Sequence, residues 1–164
     1  MLTAAIIVGN PKLGSRTRDA AERLAAALDA KPAVIEVVEF GAALFDWGDP
    51  VVASAVTAVQ AADIVIAASP TFKGTYTGLL KLFLDQFATA TGLAGQVGVP
   101  LMLGASLGHA LAPELSLKPV LVELGAVCPA QGLYQVDSRY ADDDSLAEWV
   151  SRWGPAVHSA VRSS

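Results

Sequence analysis

The sequence predicts a doubly wound α/β domain, with five parallel strands in the order 2-1-3-4-5 and helices on both faces of the sheet. Three observations predict it. Short apolar, β-branched runs recur along the chain and alternate with stretches of helical spacing. Most of these runs end at a glycine or at Ser-Pro, as strands buried on both faces do where they hand over to a loop. The length, 164 residues, suits one domain spanning 1–164, with no repeat, low-complexity tract or linker to divide it.

Each element follows from the residues in turn. Thr3–Val8 (TAAIIV) is the first strand, ending at Gly9. A turn then leads into a helix over Arg16–Asp29, where Ala20, Leu24, Ala25 and Leu28 fall at helical spacing. Ala33–Glu39 is the second strand, Phe40–Pro50 an irregular loop and Val51–Ala61 a short helix. Asp63–Ala68 is the third strand, ending at Ser69-Pro70, and Gly78–Ala88 a helix with Leu80, Leu84 and Phe87 on one face. Gly98–Leu103 is the fourth strand, ending at Gly104, and Pro113–Leu124 a helix stopped by Gly125. Ala126–Cys128 and Leu133–Val136 make a broken fifth strand. Ser145–Val161 is the closing helix, capped by the Asp142–Asp144 run before it. Five strands in so short a domain favour the flavodoxin-like order over a six-stranded dinucleotide fold. In such sheets ligands bind outside the carboxyl ends of the strands, here from Gly9, Ser69 and Gly104 onward.

Composition narrows the function classes. Hydrophobic residues are 53% of the chain, mean hydropathy is +0.47 and charged residues are only 16%, against roughly 25% in an average domain. Residues 86–113 hold no Asp, Glu, Lys or Arg. Thr89, Gln96, Pro100, Ser106, His109 and several glycines interrupt them, so no window supplies the roughly 20 apolar residues of a membrane span. The first residues lack the basic region of a signal peptide, and the single Cys128 excludes a disulfide framework. A net charge of −5 without a basic stripe argues against nucleic acid. The expectation is a soluble, cytoplasmic domain that self-associates. The helix over 78–88 is apolar on more than one face and the 113–124 helix is poor in charge, so a homodimer or homotetramer is expected to form through them.

Three loops lie where a ligand is expected. Gly9-Asn10-Pro11-Lys12-Leu13-Gly14-Ser15-Arg16-Thr17 combines hydroxyls, an arginine and a helix N-terminus. It lacks both the lysine of a triphosphate-binding P-loop and the spacing of a dinucleotide fingerprint. That set suits a single phosphate dianion, and it equally suits an ordinary N-cap with a solvated arginine. Ser69–Gly78 offers a rigid proline, an aromatic, a lysine and hydroxyls, with two glycines that let a flat ligand approach the backbone; the plain alternative is a polar lead-in to a helix. Gly104–His109 has small residues whose backbone N–H groups can meet a ring's carbonyl edge; His109 is either a ring neighbour or a satisfied loop histidine.

Other residues carry less. His109 and His158 lack carboxylate or cysteine neighbours at metal-ligand spacing, so no metal site is expected. Neither Ser15 nor Ser106 stands in a nucleophile elbow, which leaves hydrolase chemistry without a nucleophile. Trp149 and Trp153 read as packing residues of the last helix, Cys128 as a buried small hydrophobe, and Lys81 with Asp85 as a helix-surface ion pair.

Together, G-N-P-K-L-G-S-R-T at 9–17, S-P-T-F-K-G-T-Y-T-G-L-L-K at 69–81 and G-A-S-L-G-H-A-L-A at 104–112, leading to L-K-P-V-L at 117–121, carry a likeness to a known family. The chain resembles the NAD(P)H-dependent FMN reductases over roughly residues 3–140, and within them the subgroup that supplies reduced FMN to alkanesulfonate-type monooxygenases. The resemblance implies that Ser15, Arg16 and Thr17 hold the FMN phosphate with Asn10 near it. It further implies that Pro70, Thr71, Phe72 and Lys73 line the ribityl chain and isoalloxazine, and that Ser106, Leu107, Gly108 and His109 contact the other edge of the ring. Asn10 stands where serine is more usual, Phe72 where tyrosine is, and Leu115 where the subgroup often has an aromatic or histidine.

The resemblance implies hydride transfer from NADPH or NADH to flavin N5. The protein would then stack, orient and tune the ring, with no catalytic side chain. Lys73 is expected to favour the reduced, anionic ring. Competing readings are a quinone, azo-dye or metal-ion reductase with bound FMN, a flavodoxin-type electron carrier, and a nucleotide-binding or scaffold domain without activity.

Overall fold

The computed structural model describes residues 1–161. Five strands form one parallel sheet in the order β2-β1-β3-β4-β5, as predicted. They are β1 (Leu2–Val8), β2 (Ala30–Glu36), β3 (Ile64–Pro70), β4 (Val97–Gly104) and β5 (Leu133–Val136). Alternate residues of each strand point to opposite faces. Ala4, Ile6 and Val8 pack into one core with Leu24 and Val157, while Ala5 and Ile7 pack into the other with Val52, Leu80, Phe83 and Leu121. Helices α1 (Arg16–Ala27) and α5 (Ser145–Val161) therefore cover one face. The other carries α2 (Pro50–Gln60), α3 (Gly78–Leu84) and α4 (Lys118–Glu123).

Side-chain caps fix the starts of three helices, while α1 ends at Ala27 and not at the expected Asp29. Ser15 accepts the Arg18 N–H, Asp49 the Val51 and Val52 N–H groups, and Thr77 the Leu80 N–H. Asp143, within the predicted acidic run, accepts the Ser145 N–H at 3.0 Å. Trp149 is buried, its indole N–H donating to Gln131 O at 2.7 Å, and a ring nitrogen of His158 meets Leu28 O at 2.9 Å. Lys81 and Asp85 form the expected ion pair.

Four other elements differ from the sequence reading. The second strand is Ala30–Glu36, not Ala33–Glu39, because its register is set by pairing Leu2 with Ala30 through Val8 with Glu36. The apolar residues beyond it curl into a 3-10 segment, Val37–Phe45, kinked at Gly41 (φ 52°), which buries Val37 and Leu44. Pro32 is tolerated in β2 because that strand lies at the sheet edge. The helix of 78–88 ends its α-helical part at Leu84. The predicted 113–124 helix begins as one π-helical turn, Pro113–Leu117, where the Lys118 N–H reaches back to Pro113 O, before α4 takes over.

The break in the fifth strand is real. Val127 makes a single bridge to Val97, and regular pairing to β4 resumes only at Leu133 opposite Leu101. Pro100 falls in that gap. The Gly98 N–H points to Val127 O at 2.9 Å, so two residues on, the missing Pro100 donor faces the same side, where no strand residue waits for it. Cys128 packs against Gly98 in this gap, and burial pushes its thiol up to about 11. Among the described residues no helix is long and apolar enough to cross a membrane.

Candidate functional site

The loops after β1, β3 and β4 meet at the carboxyl edge of the sheet. Gly9 leaves β1 with its N–H bonded to Ala68 O at 2.8 Å. A Cβ there would lie 2.4 Å from Leu80 Cβ, so helix α3 can approach the strand end only because residue 9 is glycine. Asn10 then braces the loop. Its Nδ2 donates to Thr17 Oγ1 at 3.0 Å and its Oδ1 accepts the Lys12 N–H at 2.9 Å. Gly14 adopts φ +60° and gives its N–H to Glu36 at 3.1 Å, which delivers Ser15 to the N-cap of α1.

This loop encloses one side of a cavity of about 360 Å³, lined by Asn10, Lys12, Gly14, Ser15, Arg16 and Thr17 and closed by Pro70, Phe72, Leu103 and Asp137. Ser15 and Thr17 are buried, and each hydroxyl accepts one N–H while keeping its own proton to donate. Arg16 spans the mouth, with Nη1 3.4 Å from Asp137 O and 3.9 Å from Asp137 Oδ1. Two cations, two hydroxyls and the N-terminus of a 12-residue helix converge here. That donor set fits a phosphate.

The loop after β3 rises as a tight hairpin. Phe72 and Thr75 exchange both backbone hydrogen bonds, at 2.9 and 3.2 Å, around Lys73 (φ 54°) and Gly74 (φ 83°). Positive φ at both central residues marks a type I′ turn. Lysine is uncommon at such a position, and holding it there stores backbone strain. The turn leaves Phe72 half exposed, at the edge of the cavity, and Lys73 exposed. Its base is tied down by the buried Thr77, whose hydroxyl donates to Gly9 O at 2.6 Å and accepts the Leu80 N–H at 3.1 Å. The Thr77 N–H goes to Ser69 Oγ at 3.0 Å. Thr71 donates its N–H to Leu103 O at 2.7 Å, yet its Oγ1 is buried without a partner.

After β4, Gly104 gives way to Ser106, which caps a 3-10 turn over Leu107–His109 by accepting the Gly108 N–H at 3.3 Å. The His109 ring reaches the hairpin tip: a Cβ on Gly74 would lie 3.5 Å from His109 Cε1. Leu107, Gly108 and His109 face a second hollow of about 400 Å³ with Gly74, Leu111 and Leu115.

The structure places nine of the twelve expected residues in two hollows. Asn10, Ser15, Arg16, Thr17, Pro70 and Phe72 line the first, and Leu107, Gly108 and His109 line the second. Thr71, Lys73 and Ser106 line neither. Lys12, Gly14, Leu103 and Asp137 also line the first hollow and were not singled out from the sequence. Lys12 and Gly14 lay within the loop already quoted, and Asp137 directly follows β5, a strand end at which ligands are equally expected.

Comparison with known proteins agrees with this geometry. The family model described as NADPH-dependent FMN reductase matches residues 2–141. An FMN reductase (NADPH) of Pseudomonas putida is 33% identical over 107 residues, covering 64% of this chain and 54% of that protein. One of Escherichia coli is 39% identical over 84 residues, 51% of this chain and 44% of that protein. The match therefore spans about half the length of these curated relatives. Among solved structures, an NADH:FMN oxidoreductase in its apo form superposes with a TM-score of 0.84 at 32% identity, over 99% of this chain and 90% of that one. A pneumococcal flavodoxin, at 17% identity and a TM-score of 0.64 over 97% of this chain and 99% of that one, shares the fold. The sheet order, the three loops at its carboxyl edge and the family match over residues 2–141 lead to one conclusion: the chain belongs to the NADPH-dependent FMN reductase family.

Proposed function

We propose that this protein is an NAD(P)H-dependent FMN reductase. The observation that carries the reading is the phosphate-sized donor set at the start of α1, opening beside the aromatic hairpin of Phe72. The residues fit FMN: a phosphate cradle at one end, an exposed aromatic in the middle and an unpartnered hydroxyl, Thr71 Oγ1, between the loops. When bound, the flavin would supply the hydride acceptor, taking hydride at N5 from the nicotinamide.

The chain's own task is to bind and orient. Ser15, Arg16 and Thr17, with Lys12 added, would hold the phosphate through charge-assisted hydrogen bonds, while Asn10 keeps the loop in shape. Pro70, Thr71 and Phe72 would line the ribityl chain and ring. The Ser106–His109 turn would meet its other edge, braced against Gly74. Lys73, presented by the strained turn, would favour the negative charge of the reduced ring.

Reduced FMN is itself a mobile reductant, so a flavin-dependent monooxygenase that consumes it belongs to the same proposal, as does a cytoplasmic location. Self-association is also proposed. Leu111, Leu115 and Val122 are each more than half exposed, and an apolar hollow of about 320 Å³ lies between α3 and α4. A monomer by light scattering at micromolar concentration overturns that part.

Initial rates with NADPH and with NADH, each with and without added FMN, test the function. Nicotinamide oxidation that depends on added FMN is expected. A protein that purifies yellow and reduces quinone but not added FMN is a reductase with bound flavin instead. Absence of FMN binding at micromolar protein overturns the flavin reading.

A further inference from the structure

Glu36 is the last residue of β2 and only 4% exposed. Its Oε1 accepts the Gly14 N–H at 3.1 Å and Arg18 Nη1 at 3.5 Å, while its Oε2 is buried with no partner. Carboxylates are seldom buried this far unless their charge is matched. Here it is only partly matched, because Arg18 is shared. Its Nε and Nη2 both donate to Glu22 Oε1, each at 3.2 Å, so one guanidinium serves two carboxylates. The cluster keeps a net negative charge directly behind the loop that lines the anion cavity.

We infer that Glu36 sets the flavin-phosphate affinity: its carboxylate clamps Gly14, and so shapes the cradle, while its uncompensated charge opposes the phosphate bound there. This rests on the reading of the 9–17 loop as a phosphate site. The clamp is needed because Gly14 lies in the left-handed region, where its N–H turns to Glu36 and the chain is handed on to the Ser15 cap. The opposition follows from position. Lys12 and Arg16 face the cavity from the front and attract an anion, and Asp137 at the rim is half-buried and still open to screening by water. Glu36 stands one hydrogen bond behind the cavity wall, out of water, where a charge is screened least. Such an arrangement binds the flavin in a defined pose without holding it tightly, as a reductase needs if FMN arrives and leaves as a substrate. Glu36 is a positioning residue, since it reaches the phosphate only through the Gly14 turn.

The test compares FMN with riboflavin, which has the same ring and no phosphate. Flavin fluorescence quenching gives both dissociation constants for the wild type, Glu36→Gln and Arg18→Gln. The glutamine carbonyl can still accept the Gly14 N–H while the charge is gone. Glu36→Gln is therefore expected to tighten FMN by about threefold to tenfold and to leave riboflavin within about twofold. A residue with a purely structural role could only weaken FMN. Arg18→Gln removes the shared cation and is expected to shift the FMN preference the opposite way, with riboflavin again unmoved. It carries the test if Glu36→Gln fails to fold. An FMN preference that stays at its wild-type value in whichever of these variants folds overturns the inference. A wild type that binds FMN no better than riboflavin overturns the phosphate reading of the loop, and the inference with it.

Discussion

Tyr134 donates its hydroxyl to the Ser106 carbonyl across 2.7 Å, and the same oxygen stands where a side chain on Gly104 would begin, 1.9 Å from the ideal Cβ position. One phenol from β5 thus holds the loop after β4 and also requires the residue before that loop to be glycine. Gly104→Ala is expected to destabilise the protein by about 1–3 kcal/mol, the usual cost of overpacking a well-filled site. It should also weaken flavin binding, because the Ser106–His109 turn must move. Urea unfolding and a flavin titration check both. Removing the hydroxyl in the Gly104→Ala, Tyr134→Phe double variant takes away the closest contact, so its loss of stability should be smaller than the sum of the two single losses.

Arg16 tests the cradle from the front. Among the described residues its guanidinium makes only long contacts, to Asp137, which leaves its donors available. Arg16→Ala is expected to weaken FMN about tenfold, the low end for a charge-assisted bond at an open site, and to spare riboflavin. Equal loss for both flavins would place Arg16 away from the phosphate.

Thr77 joins two loops at their base. Its hydroxyl bonds Gly9 O and Leu80 N–H while its own N–H is held by Ser69 Oγ, all out of water. Thr77→Val keeps the shape and strands two polar partners, so a stability loss of about 1–3 kcal/mol is expected by chemical denaturation. Because the hydroxyl binds the end of β1 to the hairpin, FMN and riboflavin should weaken together. That pattern distinguishes it from Arg16.

Asp63 gives the acid limb a specific cause. The Thr3 hydroxyl, at 2.7 Å, and the Thr3 N–H, at 2.8 Å, both donate to Asp63 Oδ2 and hold its carboxyl below the ordinary value of 3.8. A carboxyl whose folded pKa is depressed adds stability above its unfolded pKa, and this is lost as pH falls through the folded value. Stability should therefore decline below about pH 4, and Asp63→Asn should show a shallower decline over the same range when unfolding is followed from pH 7 to pH 3. An equal slope in both proteins would assign the acid sensitivity elsewhere.

The sequence by itself determined the strand order and the edge at which to look. Strands buried on both faces must be continuous apolar runs, and Ile6, Ile7, Ile64, Ile66 and Leu101 advertise that burial locally. Glycine or Ser-Pro at the strand ends marked the three loops, and the 142–144 run announced the closing helix through capping chemistry that acts over three residues, as the Asp49 and Thr77 caps do in the structure. Tertiary structure decided what depends on partners far along the chain. β2 ends at Glu36 because β1 sets its register, although Val37–Phe40 looks as strand-like as what precedes it. The hairpin tip at Gly74 comes to rest against His109, and nine of the twelve predicted site residues divide between two hollows. Arg16 meets Asp137 across 121 positions, and Gly14 meets Glu36 across 22. Periodicity and capping report only a residue's immediate neighbours and its burial. The charges around the cavity of the 9–17 loop come from separate strand ends, and only the closed sheet brings them together.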